Sequence, residues 1–337
     1  MEALRDRRGL VLVILGIIVA VVFVLSFAVG KYPISPRELI LGLVAPYMEG
    51  VDVGPEVVTI IYNVRLPRVI GALLIGGALA CAGAAYQGIF RNPMASPDVL
   101  GASAGAGFGA ALGILCGFSY FGVSISSFFF GIITLIVVYI ISVKVNNKVI
   151  GIILAGIMVG SLFSSATSFL KLIADPDNTL PAITYWLMGS LSSVSMEDIG
   201  FVILPMVIGL APIIFLRWKL NILTLSEQEA RSIGVNTKIV RMVVITGATL
   251  ITAASVSISG LIGWVGLVMP HIARMIVGQD YRYMIPASIL LGGGFLLIVD
   301  NFARTISTAE VPIGILTAFI GAPFFLYLII REGKKYD

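Results

Sequence analysis

The chain has 337 residues, of which 58% are apolar and 12% charged, and its mean hydropathy is +1.04. Soluble domains carry about a quarter charged residues, so this composition excludes a water-soluble enzyme or binding module. Apolar runs of about 20 residues recur along the whole length, each long enough to cross a bilayer as a helix, which makes the chain an all-α integral membrane protein.

Ten spans are predicted, at about 10–30, 69–90, 97–115, 121–143, 149–172, 197–216, 238–259, 261–277, 283–300 and 311–330. They form one transmembrane domain over 1–337. The first run has no small-residue cleavage motif behind it and reads as a retained span. An even number of spans puts both termini on one side. With that side inside, 16 Lys and Arg residues fall in inside segments and 6 outside, which fits cytoplasmic termini. Arg65, Arg68 and Arg304 are the exceptions, outside yet close to the membrane.

Residues 31–64 read as an outside loop with Pro33, Pro36, Pro46 and Pro55. The next stretch, 65–101, reads as a hairpin of two spans with charge at both ends. Small residues recur every four positions at Ala72, Gly76, Ala80, Ala84 and Gly88, and again at Gly101, Gly105, Gly109 and Gly113. Such stripes let helix backbones approach closely in lipid. The string GAGFGA at 105–110 has no strand–turn–helix context and reads as packing, not as a phosphate loop. Between the two spans, RNPMASPD at 91–98 combines a capping Ser96, Pro97 at a first helical position and Asp98 at the positive helix end. Arg91 and Met94 are left free to face a partner or a pore. Cys81 and Cys116 lie in apolar runs and read as packing residues.

The outside loop 173–196 holds a short amphipathic segment, about 179–190, too short to span. The longest inside loop, 217–241, carries a capping box of Ser226 and Glu229. Ala230 and Arg231 continue the short helix, and Gly234 can end it. A capped helix is more than a connector needs and suits docking to a cytoplasmic protein. In 260–274, His271 beside Pro270 reads as a hydrogen-bonded structural residue, with Arg274 one turn on. In 299–314, Asp300 and Arg304 are four apart and can pair, with Glu310 nearby.

Several chemistries find no support. The chain has no G-x-x-x-x-G-K-[ST] loop, no HExxH and no nucleophile elbow. One histidine and two cysteines argue against a zinc site. Asp98 and Asp300 read as lying at span ends, so the midplane acids that an ion-coupled carrier needs are missing. An ATP-independent secondary transporter or channel is therefore the alternative reading.

The chain resembles the FecCD-type permeases, membrane subunits of type II ABC importers with the vitamin B12 permease architecture. The resemblance is carried by RLPR at 65–68, GALACAGAAYQGIFRNPMASPDVLGASAGA at 77–106 and YWLMGSL at 185–191. It continues through LSEQEARSIGV at 225–235, GWVGLVMPHIAR at 263–274 and DNFARTISTAEVPIGILTAFIGAPFFLYLI at 300–329. Departures such as Met94 and Val311 are conservative.

The resemblance implies a homodimer of ten-helix subunits, two cytoplasmic ATP-binding chains and an extracytoplasmic binding protein. It implies a metal-chelate substrate (an iron–siderophore, haem or cobalamin), no cofactor, no bond chemistry on this chain, and lipid rather than nucleic acid as surroundings. Under it, Arg65, Arg68 and Arg304 receive acidic residues of the binding protein, and Asn92 and Met94 form a cytoplasmic gate. Ser226, Glu227, Glu229, Ala230, Arg231 and Gly234 belong to the region coupled to the ATPase. Segment 179–190 lines the outer mouth, and the dimer interface around span five forms a wide, mostly uncharged pathway.

Overall fold

The computed structural model describes residues 2–48, 53–144, 149–225 and 227–333, and every regular element among them is helical. In chain order these are α1 (Glu2–Ser26), α2 (Pro36–Val44), α3 (Pro55–Thr59), α4 (Leu66–Phe90), α5 (Ala102–Leu115), α6 (Tyr120–Lys144) and α7 (Val149–Ile173). They are followed by α8 (Thr179–Leu187), α9 (Met196–Leu223), α10 (Glu227–Ser232), α11 (Thr237–Ser259), α12 (Val265–Val277), α13 (Tyr281–Thr305) and α14 (Ile313–Gly333).

Seven of the ten expected spans are long and apolar enough to cross a membrane. The other three are shorter apolar helices: Ala102–Leu115, Val265–Val277 and Ile313–Tyr327. At 1.5 Å per residue, α5 and α12 reach only about 20 Å, less than the ~30 Å of hydrocarbon in a bilayer. Both helices are therefore shorter than the spans expected at 97–115 and 261–277, and the chain completes these passages outside regular α-helix: Arg91 lies against Leu223, whereas Tyr120, just after α5, bonds the Ile258 carbonyl at the opposite end of α11. Pro97 opens a separate 3-10 turn, Pro97–Leu100, closed by Gly101 at φ +74°. Gly260 and Trp264, at φ +68° and +69°, interrupt the chain between α11 and α12.

Two expected loops are partly helical. In 31–64, Ser35 and Glu38 form a capping box that starts α2. The helix of the next span begins at Pro55 and runs unbroken to Phe90. Pro67 does not break it, because a π-helical turn, Ile60–Arg65, precedes it and Leu66 bonds back to the Ile61 carbonyl. The widened turn makes room where proline lacks a donor. In 217–241, α9 continues to Leu223.

The centre of the bundle is α4. Of its most apolar window 83% is buried, against 11% for α1. Its small residues admit neighbouring backbones. A methyl built on Gly76 would lie 2.3 Å from the Gly292 carbonyl oxygen of α13. About two turns further on, α4 meets α12, where Gly83 faces the Gly266 carbonyl. The glycine stripe of α5 lies against α6 in the same way, and Ser126 Oγ donates to the Gly109 carbonyl at 2.6 Å. Buried hydroxyls in α11 and α13, among them Thr249, Thr252, Ser255 and Ser288, donate to carbonyls four residues back, which keeps polar side chains satisfied inside the bundle. The peripheral helices expose large apolar side chains such as Ile18, Phe129, Leu162 and Phe215, surfaces that lipid covers.

Candidate functional site

At the end of the bundle where α4 begins, three arginines converge. Arg68 Nε donates to Asp300 Oδ1 at 2.7 Å and its Nη1 to Glu310 Oε2 at 2.8 Å. Arg304 Nε stands 3.1 Å from Asp300 Oδ2, one helical turn along α13, without the geometry of a hydrogen bond. Arg304 also donates to the carbonyls of Val29 and Ser26 and to Asn301 Oδ1. Among the described residues Arg65 has no carboxylate partner, and it donates to the carbonyls of Phe27 and Tyr32. Lys31 Nζ adds a bond to the Thr308 carbonyl in the α13–α14 loop.

Arg65, Arg68 and Arg304 are only 3, 3 and 5% exposed. The resemblance assigns them to receiving acidic residues of a binding protein. Here they are covered, and among the described residues three guanidiniums share two carboxylates, which leaves one positive charge solvated by carbonyls. The pairing of Asp300 with Arg304 was legible from their spacing. The ties of Arg68 to Asp300 and Glu310 were not, since 232 and 242 residues separate the partners.

Roughly 35 Å away along α4, Arg91 caps the helix in the left-handed region, at φ +51°. Its side chain is not free. Nε donates to the Leu223 carbonyl at 2.9 Å and Nη2 to the Leu225 carbonyl, the first at the end of α9 and the second in the stretch that joins it to α10. Asn92 Oδ1 accepts from the Met94 amide at 2.9 Å, and both side chains are exposed. Beside them a polar groove of about 650 Å³ is lined by Gln87, Arg91, Asn92, Asn221, Arg274 and Asp280, among others.

Asn221 holds two elements together at that groove. Its Nδ2 donates to Asp280 Oδ1 at 2.8 Å and its Oδ1 accepts from the Tyr281 amide at 3.0 Å. Burial alone would raise the Asp280 carboxyl, but hydrogen bonds from Arg282 and Asn221 outweigh it and hold it at about 2, below its ordinary 3.8. In α10, Ala230 is buried and Glu229 exposed. Gly234 at φ +79° ends the helix, and the Val235 amide bonds back to the Ala230 carbonyl, the bond expected of a glycine stop. Ser226 lies outside the described residues, as do the side chains of Glu227 and Arg231.

Between these two ends lies a cavity of about 630 Å³. It is bounded by the Asp98–Ala104 segment, by the middle of α7 and by residues 261–263 of the α11–α12 break. Its depth follows from contacts to α4. A methyl on Gly266 would lie 2.4 Å from Pro97 Cγ and 2.7 Å from the carbonyl oxygen of Leu79, which stands at the middle of α4. On the other side, Gly101 packs on Gly156 and Gly160 in the middle half of α7. The 97–101 turn therefore re-enters the bundle to mid-depth, and Asp98 is not at a span end. Asp98 is exposed to the cavity and accepts from Ser103 Oγ. On α7, Ser161, Ser164, Ser165 and Ser168 present hydroxyls on an exposed face, an arrangement unsuited to lipid tails. The short amphipathic segment is α8. The turn after it also enters the bundle: the Ser190 amide bonds to the Ser259 carbonyl and the Ile313 amide to the Gly189 carbonyl, both at 2.8 Å.

Comparison with known proteins gives one answer. The chain matches the FecCD transport family over residues 18–331. It is 39% identical over 320 residues to the molybdate import system permease protein MolB of Haemophilus influenzae, covering 94% of each chain. To the cobalamin import system permease protein BtuC of Halobacterium salinarum it is 38% identical, covering 86% of this chain and 78% of the relative. A solved inward-facing conformation of a putative metal-chelate type ABC transporter superposes with a TM-score of 0.86 at 37% identity, over 96% of this chain and 99% of the other.

Proposed function

The chain belongs to the FecCD transport family, and from that membership we propose that it is the permease subunit of an ATP-driven importer of a metal chelate. The observation that carries the reading is the likeness, over nearly the whole chain, to a metal-chelate type ABC transporter in an inward-facing state. In this reading two copies pair in the cell membrane with both termini in the cytoplasm. The arginine-cluster end faces out to a binding protein, and α10 docks on an ATPase chain. The hydroxyl-bearing face of α7, Ser161, Ser164, Ser165 and Ser168, lines the route between the copies. Asn92 and Met94 stand at its cytoplasmic exit.

Arg91 joins the two working parts at that exit. It starts the 91–94 loop and bonds the carbonyls from which the chain enters α10, so a movement of α10 is passed to the gate. Replacing Arg91 by Ala should leave the assembled complex hydrolysing ATP while uptake falls roughly three- to tenfold. Parallel loss of hydrolysis and uptake would instead assign Arg91 to assembly.

The alternative, an ion-coupled carrier, gains one observation, since Asp98 lies at mid-depth after all. Proteoliposomes separate the two. With the ATPase and binding protein present, uptake of a labelled ferric siderophore or cobalamin should require ATP and ignore a proton gradient. Uptake by the chain alone, driven by the gradient, would overturn the importer reading.

A further inference from the structure

Among the described residues, the cavity at mid-depth has one charged side chain on its wall. Beside Asp98 its lining is glycine, apolar side chains and the hydroxyls of Ser103, Ser161, Ser164 and Ser165. Among the described residues no ion pair involves Asp98, and the one hydrogen bond its carboxylate accepts is from Ser103 Oγ, a neutral donor. A carboxylate that is exposed to an internal cavity and not neutralised there imposes its sign on whatever enters, because low-dielectric walls concentrate the field in the water between them.

We propose that Asp98 sets the charge selectivity of the passage, admitting uncharged and cationic metal complexes and slowing oxyanions and polyanionic chelates. This rests on the importer reading, in which the cavity belongs to the route. It goes beyond that reading by choosing a substrate class. The opposing contribution is identifiable. α5 begins at Ala102 and α12 at Val265, so two positive helix ends border the same space. Each amounts to about half a charge and fades within the first turn, whereas Asp98, when ionised, places a full charge at the cavity surface. If the helix ends prevailed, the cavity would favour anions instead.

The test reads the sign of the cavity without a binding protein. Ser165→Cys places a thiol on the cavity wall in a chain whose own Cys81 and Cys116 are replaced by Ala and Ser. Its reaction rates with a trimethylammonium-bearing and a sulfonate-bearing methanethiosulfonate are compared with those of native Cys116, which is exposed and lines no part of the cavity. The cation-to-anion ratio at Ser165→Cys should exceed the Cys116 ratio by about tenfold. Asp98→Asn should bring the two close together, and Asp98→Glu should keep them apart. Unaltered Cys116 rates mark an intact fold. An unchanged ratio in Asp98→Asn, a preference for the anion, or no reaction with either reagent overturns the proposal. ATP-dependent uptake measured in the same vesicles tests the importer reading separately. Its absence with the thiol ratio intact removes that reading and leaves the charge of the cavity standing.

Discussion

Replacing Asp300 by Ala should destabilise the folded chain by about 3–5 kcal/mol, the range for breaking a buried pair from one side. Asp300 is 1% exposed and stands between Arg68 at 2.7 Å and Arg304 at 3.1 Å. Its removal leaves three guanidiniums with Glu310 as their one carboxylate among the described residues. Bulk water does not reach them to compensate, since all three are buried. Asp300→Asn keeps the shape and should lose nearly as much, which separates charge from packing.

Glu310→Gln is the contrast. The Glu310 side chain is 27% exposed, and its bridge should be worth about 1 kcal/mol, near the top of the range for exposed pairs. Unfolding midpoints in detergent measure all three. An Asp300→Ala chain within about 1 kcal/mol of the parent would mean that the cluster is hydrated and its arginines open to a partner in the free state. A large loss would mean that a docking partner must first compete with Asp300 and Glu310 for these arginines.

The second large effect is expected at Gly83. A Cβ there would lie 1.7 Å from the Gly266 carbonyl oxygen, inside covalent-bond-like range and against backbone, not a flexible side chain. Gly83→Ala should cost about 3 kcal/mol, the upper part of the usual range for overpacking. It should also push away the segment on which Pro97 rests, and with it the turn that carries Asp98. Gly200→Ala is the control. Gly200 lies in α9 with nothing within 4 Å of a built Cβ, so alanine there should be neutral or stabilise by up to about 1 kcal/mol through helix propensity. Equal behaviour of the two variants would show that α4 and α12 do not meet this closely.

Much of the molecule was legible without coordinates. Hydropathy located the apolar segments, because a helix in lipid must be apolar over its own length. The four-residue spacing of Gly76, Ala80 and Gly105, Gly109 marked helix faces that touch others, and they do. Gly234 was legible as a stop, because a left-handed position after a short helix selects glycine. The length of the apolar run after Gly101 was a usable signal too. Without the Pro97–Gly101 turn only 14 residues remain, a helix too short to cross a bilayer unaided.

The sequence by itself determined that this is a helical membrane protein, where its apolar segments lie and, through its motifs, which family it resembles. Those are local properties, written in runs of neighbouring residues. Only the tertiary structure decided how deep each segment reaches and which charges are covered. Asp98 stands at mid-depth because Pro97 meets Gly266 and Gly101 meets Gly156. Arg68 is covered because Asp300 and Glu310 reach it from the far end of the chain. Each of these contacts joins residues dozens to hundreds of positions apart, and no window of sequence contains both partners. The stretch 65–98 therefore carried its chemistry openly, while its depth and its pairing belonged to the bundle that closes around it.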